Sequence, residues 1–169
     1  MSSAGPAPPG WLDEAVPTVL AHRGASSTHP ENTLAAFDAA LALGAPLVEM
    51  DVRLTADGVP VILHDADVSR TTDGRGPVHE LTLAQIRSLD AGTPELPQRI
   101  PTLREALELV GGRGGVVLEI KNLPGEPSYQ DDGEAIVEAT AAELEATSFG
   151  GPVLVVSFNP RSIAEARRL

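Results

Sequence analysis

Short blocks of nearly continuous aliphatic residues alternate along the chain with longer segments in which apolar positions recur every three to four residues. The blocks are "PTVLAHRG" (17–24), "PLVEMDVRL" (46–54), "VPVILHD" (59–65), "GVVLEIKN" (115–122) and "PVLVVSF" (152–158), all of strand length. Between them, "ENTLAAFDAALALG" (31–44) places Leu34, Phe37, Ala40 and Leu41 on one helical face, with Asn32 or Thr33 positioned to cap its start and Gly44 its end. "PTLREALELVGG" (101–112) and residues 128–147 read as further helices, and "PRSIAEARRL" (160–169) opens another. Residues 66–92 are less regular and carry one clear element, a short helix capped near Thr82. Strands that are apolar on both faces, alternating with amphipathic helices, predict a parallel sheet covered by helices. Two architectures satisfy this: an open doubly wound sheet and a closed (β/α) barrel.

One connection breaks the rhythm. "DVRLTADGVPVILHD" leaves no room for a crossover helix, since parallel strands need a connection of about a dozen residues or more. A hairpin is therefore expected. With Asp57-Gly58 as its two-residue loop, Asp51 faces His64; with Ala56-Asp57, Glu49 faces His64; a bulge would shift either register by one.

Polar residues inside the apolar blocks sit toward their C-terminal ends: His22 and Arg23, Glu49 and Asp51, His64, Glu119 and Lys121. In parallel α/β folds that end of the sheet carries the chemistry. Glu49 and Asp51 are two apart, so a strand projects both to one side, and Glu119 and Lys121 repeat the spacing. Adjacent carboxylates repel unless a cation joins them. With Glu119 added, three hard oxygen ligands suit Mg²⁺ or Ca²⁺ rather than zinc. Two imidazoles supply an acid and a base near neutral pH, and Arg and Lys beside a divalent metal neutralise a phosphate oxygen. A phosphate ester is the natural substrate. His29 and His79 lie in loop-like sequence and read as surface residues; Ser157 or Asn159 could line a pocket from the end of the last strand.

Composition narrows the picture further. The chain has 169 residues, enough for one domain. A formal charge of −12 argues against a nucleic-acid partner and against adhesion to anionic lipid. The absence of cysteine excludes thiolate catalysis and disulfides. No apolar run approaches the ~18 residues of a transmembrane segment. Residues 1–15, rich in Pro and Gly, read as a disordered leader and not a secretion signal, which points to a cytoplasmic protein. No G-x-G-x-x-G or P-loop occurs.

"AHRGASSTHPENTLAAF", "VEMDVRLTADGVPVILHD", "TTDGRGPVHELTLAQI", "IPTLREALELV" and "LEIK" resemble, in order and spacing, the glycerophosphodiester phosphodiesterases, over roughly residues 17 to 158. The resemblance implies an α/β TIM-type barrel occupying residues 16–169, with an inserted segment at 66–98. It implies metal-dependent hydrolysis of a small-molecule glycerophosphodiester to glycerol 3-phosphate and an alcohol. His22 and His64 would be the general acid/base pair, Arg23 and Lys121 would bind phosphate, and Glu49, Asp51 and Glu119 would hold Mg²⁺ or Ca²⁺. A full barrel typically takes about 250 residues, whereas only about five strands are legible here. Either further sequence or another chain completes the barrel, or the fold has adapted to fewer strands. Lysophospholipase D-type activity at the same site and an inactive metal- and phosphate-binding fragment are the alternatives.

Overall fold

The computed structural model describes residues 18–129 and 134–169. The proposed leader lies outside them. Five strands form one sheet: β1 (Leu20–Ala21), β2 (Leu47–Leu54), β3 (Pro60–Ile62), β4 (Gly115–Ile120) and β5 (Val153–Val156). The parallel path runs β1-β2-β4-β5, and β3 lies off it, antiparallel to the second half of β2. Only four of the five strands thus belong to the parallel series; the fifth is the hairpin partner that the short connection requires.

Helices α1 (Leu34–Ala42), α2 (Leu83–Ile86), α3 (Leu103–Val110), α4 (Ala135–Ala146) and α5 (Pro160–Ala166) complete the chain. Their starts follow local chemistry. The Thr33 hydroxyl accepts from Ala36 N at the head of α1. Thr82 with Gln85 and Thr102 with Glu105 form reciprocal capping boxes for α2 and α3, each satisfying two otherwise orphaned amides. Asn159, raised above as a pocket residue, is instead buried as the α5 cap, and its Nδ2 donates to Asn122 O at 2.9 Å. Ser157 Oγ donates to Ile120 O at 2.8 Å.

The strand period of two sorts the side chains. Val48, Met50 and Val52 of β2, with Val116, Leu118 and Ile120 of β4, pack beneath Phe37, Leu103, Leu107, Val110 and Ile136 from the helices. The intervening positions, Glu49, Asp51 and Arg53, and Glu119, project to the other face. Residues 66–98 form two 3₁₀ turns and α2, and pack Val68, Val78, Ile86 and Ala91 on Val61 and Leu63 as a second core.

The hairpin register departs from both expectations. Val52 pairs with Ile62 and Leu54 with Pro60, so the same count carried forward sets Met50, not Asp51 or Glu49, opposite His64. The loop has three residues, Ala56–Gly58, with Gly58 at φ 77° and its amide donating to Thr55 O. Thr55 Oγ1 accepts from Val59 N at 2.9 Å and donates to Asp57 Oδ1 at 2.7 Å, which holds the odd loop length. The ladder ends at Ile62, leaving His64 in the following turn.

Both margins of the sheet are open among the described residues. Val19 and Leu20 are exposed on the β1 side, and Val153, Leu154 and Phe158 on the β5 side. No described helix is long and apolar enough to cross a membrane.

Candidate active site

The parallel register builds the centre. β2 pairs with β4 so that Asp51 lies directly beside Glu119. Glu49, one pleat earlier on the same face, completes a group whose carboxylate oxygens lie within 4.8 Å of one another. Glu49 and Asp51 are buried. Burial, with Asp51 and then Glu119 close by, pushes the Glu49 carboxyl up to about 7.

Basic side chains close around the acids. Lys121 Nζ, itself buried, lies 2.5 Å from Glu119 Oε1 and 3.0 Å from Asp51 Oδ1. Arg23 Nε lies 3.3 Å from Asp51 Oδ2, and the Arg23 amide donates to Glu49 Oε2 at 2.8 Å. That amide points inward because Arg23 adopts φ 56° and Gly24 follows at φ 78°. Gly24 must be glycine on a second ground: a Cβ there would lie 2.6 Å from the Ala36 carbonyl carbon in α1. His22 Nε2 is 3.9 Å from Glu49 Oε2, with most of its ring exposed.

With all three carboxyls ionised, Arg23 and Lys121 leave one negative charge in a largely buried site. Glu49 Oε1 and Asp51 Oδ1 receive no hydrogen bond; the contact of Asp51 Oδ1 with Lys121 is an ion pair without hydrogen-bond geometry. Buried carboxylate oxygens without donors are costly. A hard divalent cation fits this donor set: all-oxygen, anionic, and with unsatisfied lone pairs.

Six of the seven residues singled out from the sequence are therefore joined by direct contacts: His22, Arg23, Glu49, Asp51, Glu119 and Lys121. His64 reaches them through intermediaries. Its carbonyl accepts from Arg53 Nε at 2.8 Å, and the preceding amide, Leu63 N, donates to Asp51 O at 2.9 Å. Its ring Nδ1 lies 2.6 Å from Asp65 Oδ1. His29 and His79, read as surface residues, are half-buried.

Sequence reasoning missed three groups. Asn32 is not the helix cap but a buried residue at φ 57°. Its Nδ2 donates to Asp51 Oδ2 at 2.8 Å, and its Oδ1 accepts from Asp51 N at 3.4 Å. Arg53, two residues beyond Asp51 on the same face, grips both carboxylate oxygens of Glu126 at 2.8 and 3.1 Å. The period of two that linked Glu49 to Asp51 could have found it. Glu31, Asp65 and Arg70 form an ionic cluster spanning 39 residues of sequence, for which no local pattern gives a signal.

The fold and site define an α/β protein of the TIM type, carrying an acidic centre on β2 and β4 flanked by cations. Residues 22–169 match the sequence model of the glycerophosphoryl diester phosphodiesterase family, and the chain belongs to that family. It is 41% identical over 156 residues to a glycerophosphodiester phosphodiesterase of Caldanaerobacter subterraneus, covering 89% of this chain and 62% of that protein. Rat glycerophosphodiester phosphodiesterase 1 is 50% identical over 96 residues, 53% of this chain and 29% of the relative. Among solved structures, an Oleispira antarctica phosphodiesterase in complex with the product sn-glycerol-3-phosphate superposes with a TM-score of 0.81 at 39% identity, over 90% of this chain and 62% of that one. A glycerophosphodiester phosphodiesterase from Agrobacterium tumefaciens gives 0.78 at 34% identity, over 90% and 63%. The chain thus covers about three-fifths of the Caldanaerobacter relative and of both solved structures, and less of the rat protein, and its sheet is a partial TIM-type barrel.

Proposed function

We propose that this site hydrolyses glycerophosphodiesters to glycerol 3-phosphate and an alcohol. The observation that carries the reading is the Glu49–Asp51–Glu119 group, with two oxygens lacking donors and with Arg23, Lys121 and His22 at its rim. The product-bound Oleispira relative supports the substrate class. Glu49, Asp51 and Glu119 would hold Mg²⁺ or Ca²⁺, which when bound supplies positive charge against the phosphate oxygens. Arg23 and Lys121 orient the phosphodiester and share its charge. One of His22 and His64 takes the proton from the substrate's own glycerol hydroxyl as its oxygen bonds to phosphorus. The other gives a proton to the departing alcohol as the second P–O bond breaks. Water then opens the cyclic phosphate with the two roles exchanged. The open margins at β1 and β5, together with the greater length of the relatives, support completion of the barrel by further strands in the working enzyme.

The test is release of glycerol 3-phosphate from glycerophosphocholine with Mg²⁺, with Ca²⁺ and with EDTA. Turnover restored by either metal and abolished by EDTA is the expected result. His22→Ala and His64→Ala should each lower kcat by about 10²–10⁴-fold while metal affinity, read by calorimetry, stays near the wild-type value. Metal-independent turnover, or loss of metal binding with either histidine, would overturn the assignment.

A further inference from the structure

His64, at the end of the hairpin, and Arg23, after β1, both follow strands on the edge of β2 away from β4, and one side chain connects them. Arg70, in the 3₁₀ turn Val68–Arg70 of the inserted segment, faces two carboxylates at once. Its Nε and Nη2 donate to Asp65 Oδ2 and Oδ1 at 2.5 and 3.1 Å. Its Nη2 and Nη1 donate to Glu31 Oε1 and Oε2 at 2.7 and 3.1 Å. Each carboxylate then holds one residue of the proposed chemistry. Asp65 Oδ1 meets His64 Nδ1 at 2.6 Å, and Glu31 Oε1 accepts from Arg23 Nη1 at 3.1 Å.

The chemistry of these contacts has a direction. The Arg70 guanidinium, and after it the His64 ring, hold the Asp65 carboxyl at about 2, and Arg70 likewise holds Glu31 below its ordinary value. Both acids are ionised at neutral pH and can only accept hydrogen bonds. Nδ1 of His64 must then carry the proton that it shares with Asp65. In the neutral ring this leaves Nε2 bare, free to take a proton from a substrate hydroxyl. A guanidinium fixes both partners in a plane, which a lysine ammonium does not.

We propose, resting on the acid/base reading of His64 given above, that Asp65 and Arg70 are positioning residues of the reaction: Arg70 braces Asp65, which sets the tautomer and aim of His64, and braces Glu31, which sets the guanidinium of Arg23. The inserted segment therefore aligns the acid/base histidine with the phosphate-binding arginine through a single residue.

The experiment reads the tautomer directly, so it does not depend on turnover. Long-range ¹H–¹⁵N imidazole spectra of the ¹⁵N-labelled chain, with His64→Gln to assign the ring, should show neutral His64 protonated at Nδ1. Asp65→Asn, whose amide can offer an N–H to Nδ1, should move half or more of the ring proton to Nε2. Arg70→Gln should give a mixed ring, and Arg70→Lys one nearer wild type. In turnover, Asp65→Asn should lower kcat by about 10²-fold or more with KM changed less than about threefold, because the loss falls on proton transfer and not on binding. A wild-type ring protonated at Nε2, or a tautomer ratio unmoved by Asp65→Asn, would overturn the proposal. Full turnover by His64→Ala, with the wild-type ring protonated at Nδ1, would overturn the acid/base reading instead and leave the bracing geometry standing.

Discussion

Replacing Asn32 tests whether the acidic centre is held from behind. Asn32 is buried at φ 57°, donates to Asp51 Oδ2 at 2.8 Å and accepts weakly from Asp51 N. A hydrogen bond to a charged group contributes about 1.5–3 kcal/mol. Alanine in the left-handed region costs roughly 1–2 kcal/mol, a penalty that asparagine largely escapes. Asn32→Ala should therefore destabilise the metal-free protein by about 3 kcal/mol. Asn32→Gly loses the hydrogen bond but keeps the backbone conformation, and should lose about 2 kcal/mol. Urea unfolding in EDTA, followed by far-UV circular dichroism and extrapolated linearly to water, resolves this difference. Released from Asn32, the Asp51 carboxylate can rotate, so cation affinity should fall about tenfold or more in both variants. A loss of less than about 0.5 kcal/mol in Asn32→Ala would refute the hydrogen-bond argument by this estimate. Equal losses in the two variants would refute the backbone argument.

Other expectations follow from the same geometry. Glu49, with its folded carboxyl raised to about 7, binds a proton more tightly in the native than in the unfolded state. The metal-free protein should therefore gain stability as pH falls from about 8 toward about 5, and Glu49→Gln should remove that dependence, as read from urea midpoints in EDTA. Gly24→Ala forces a Cβ against the Ala36 backbone at a positive φ; it should cost at least ~2 kcal/mol and lower cation affinity by displacing the Arg23 amide from Glu49. Phe37, fully buried between α1 and the sheet, should lose about 3–5 kcal/mol on mutation to alanine in the same unfolding assay.

The parallel sheet and its helices were legible because each rests on a local pattern: short unbroken aliphatic runs for strands buried on both faces, a period near four for the helices. The Glu49–Asp51–Glu119 group was legible from the strand period of two, since its members share the phase of adjacent strands. The hairpin register was not. Counting two loop residues is the simplest closure, but Thr55 and Gly58 stabilise three, which shifts the register by one, and the ladder ends at Ile62, before His64. The first strand was read as eight residues long, yet only Leu20–Ala21 pair, because pairing depends on a neighbour rather than on apolar content. Asn32 looked like a cap because Asn commonly caps helices; Thr33 takes that role, which leaves Asn32 to reach a strand 19 residues away. Contacts between distant segments, such as Arg70 with Glu31, leave no periodic trace.

β2 is bonded on both sides, to β1 and β3 along one edge and to β4 along the other, whereas β1 contributes only two residues at a margin. Amides of β2 should therefore exchange with deuterium only through near-global opening, while those around Leu20 exchange through local fraying. Glu49 and Asp51 thus sit on the most firmly held strand of the sheet, with Glu119 on its neighbour β4, and His22 and Arg23 follow the strand that frays first. Transient detachment of that first segment would withdraw the imidazole and guanidinium together and leave the acidic centre assembled.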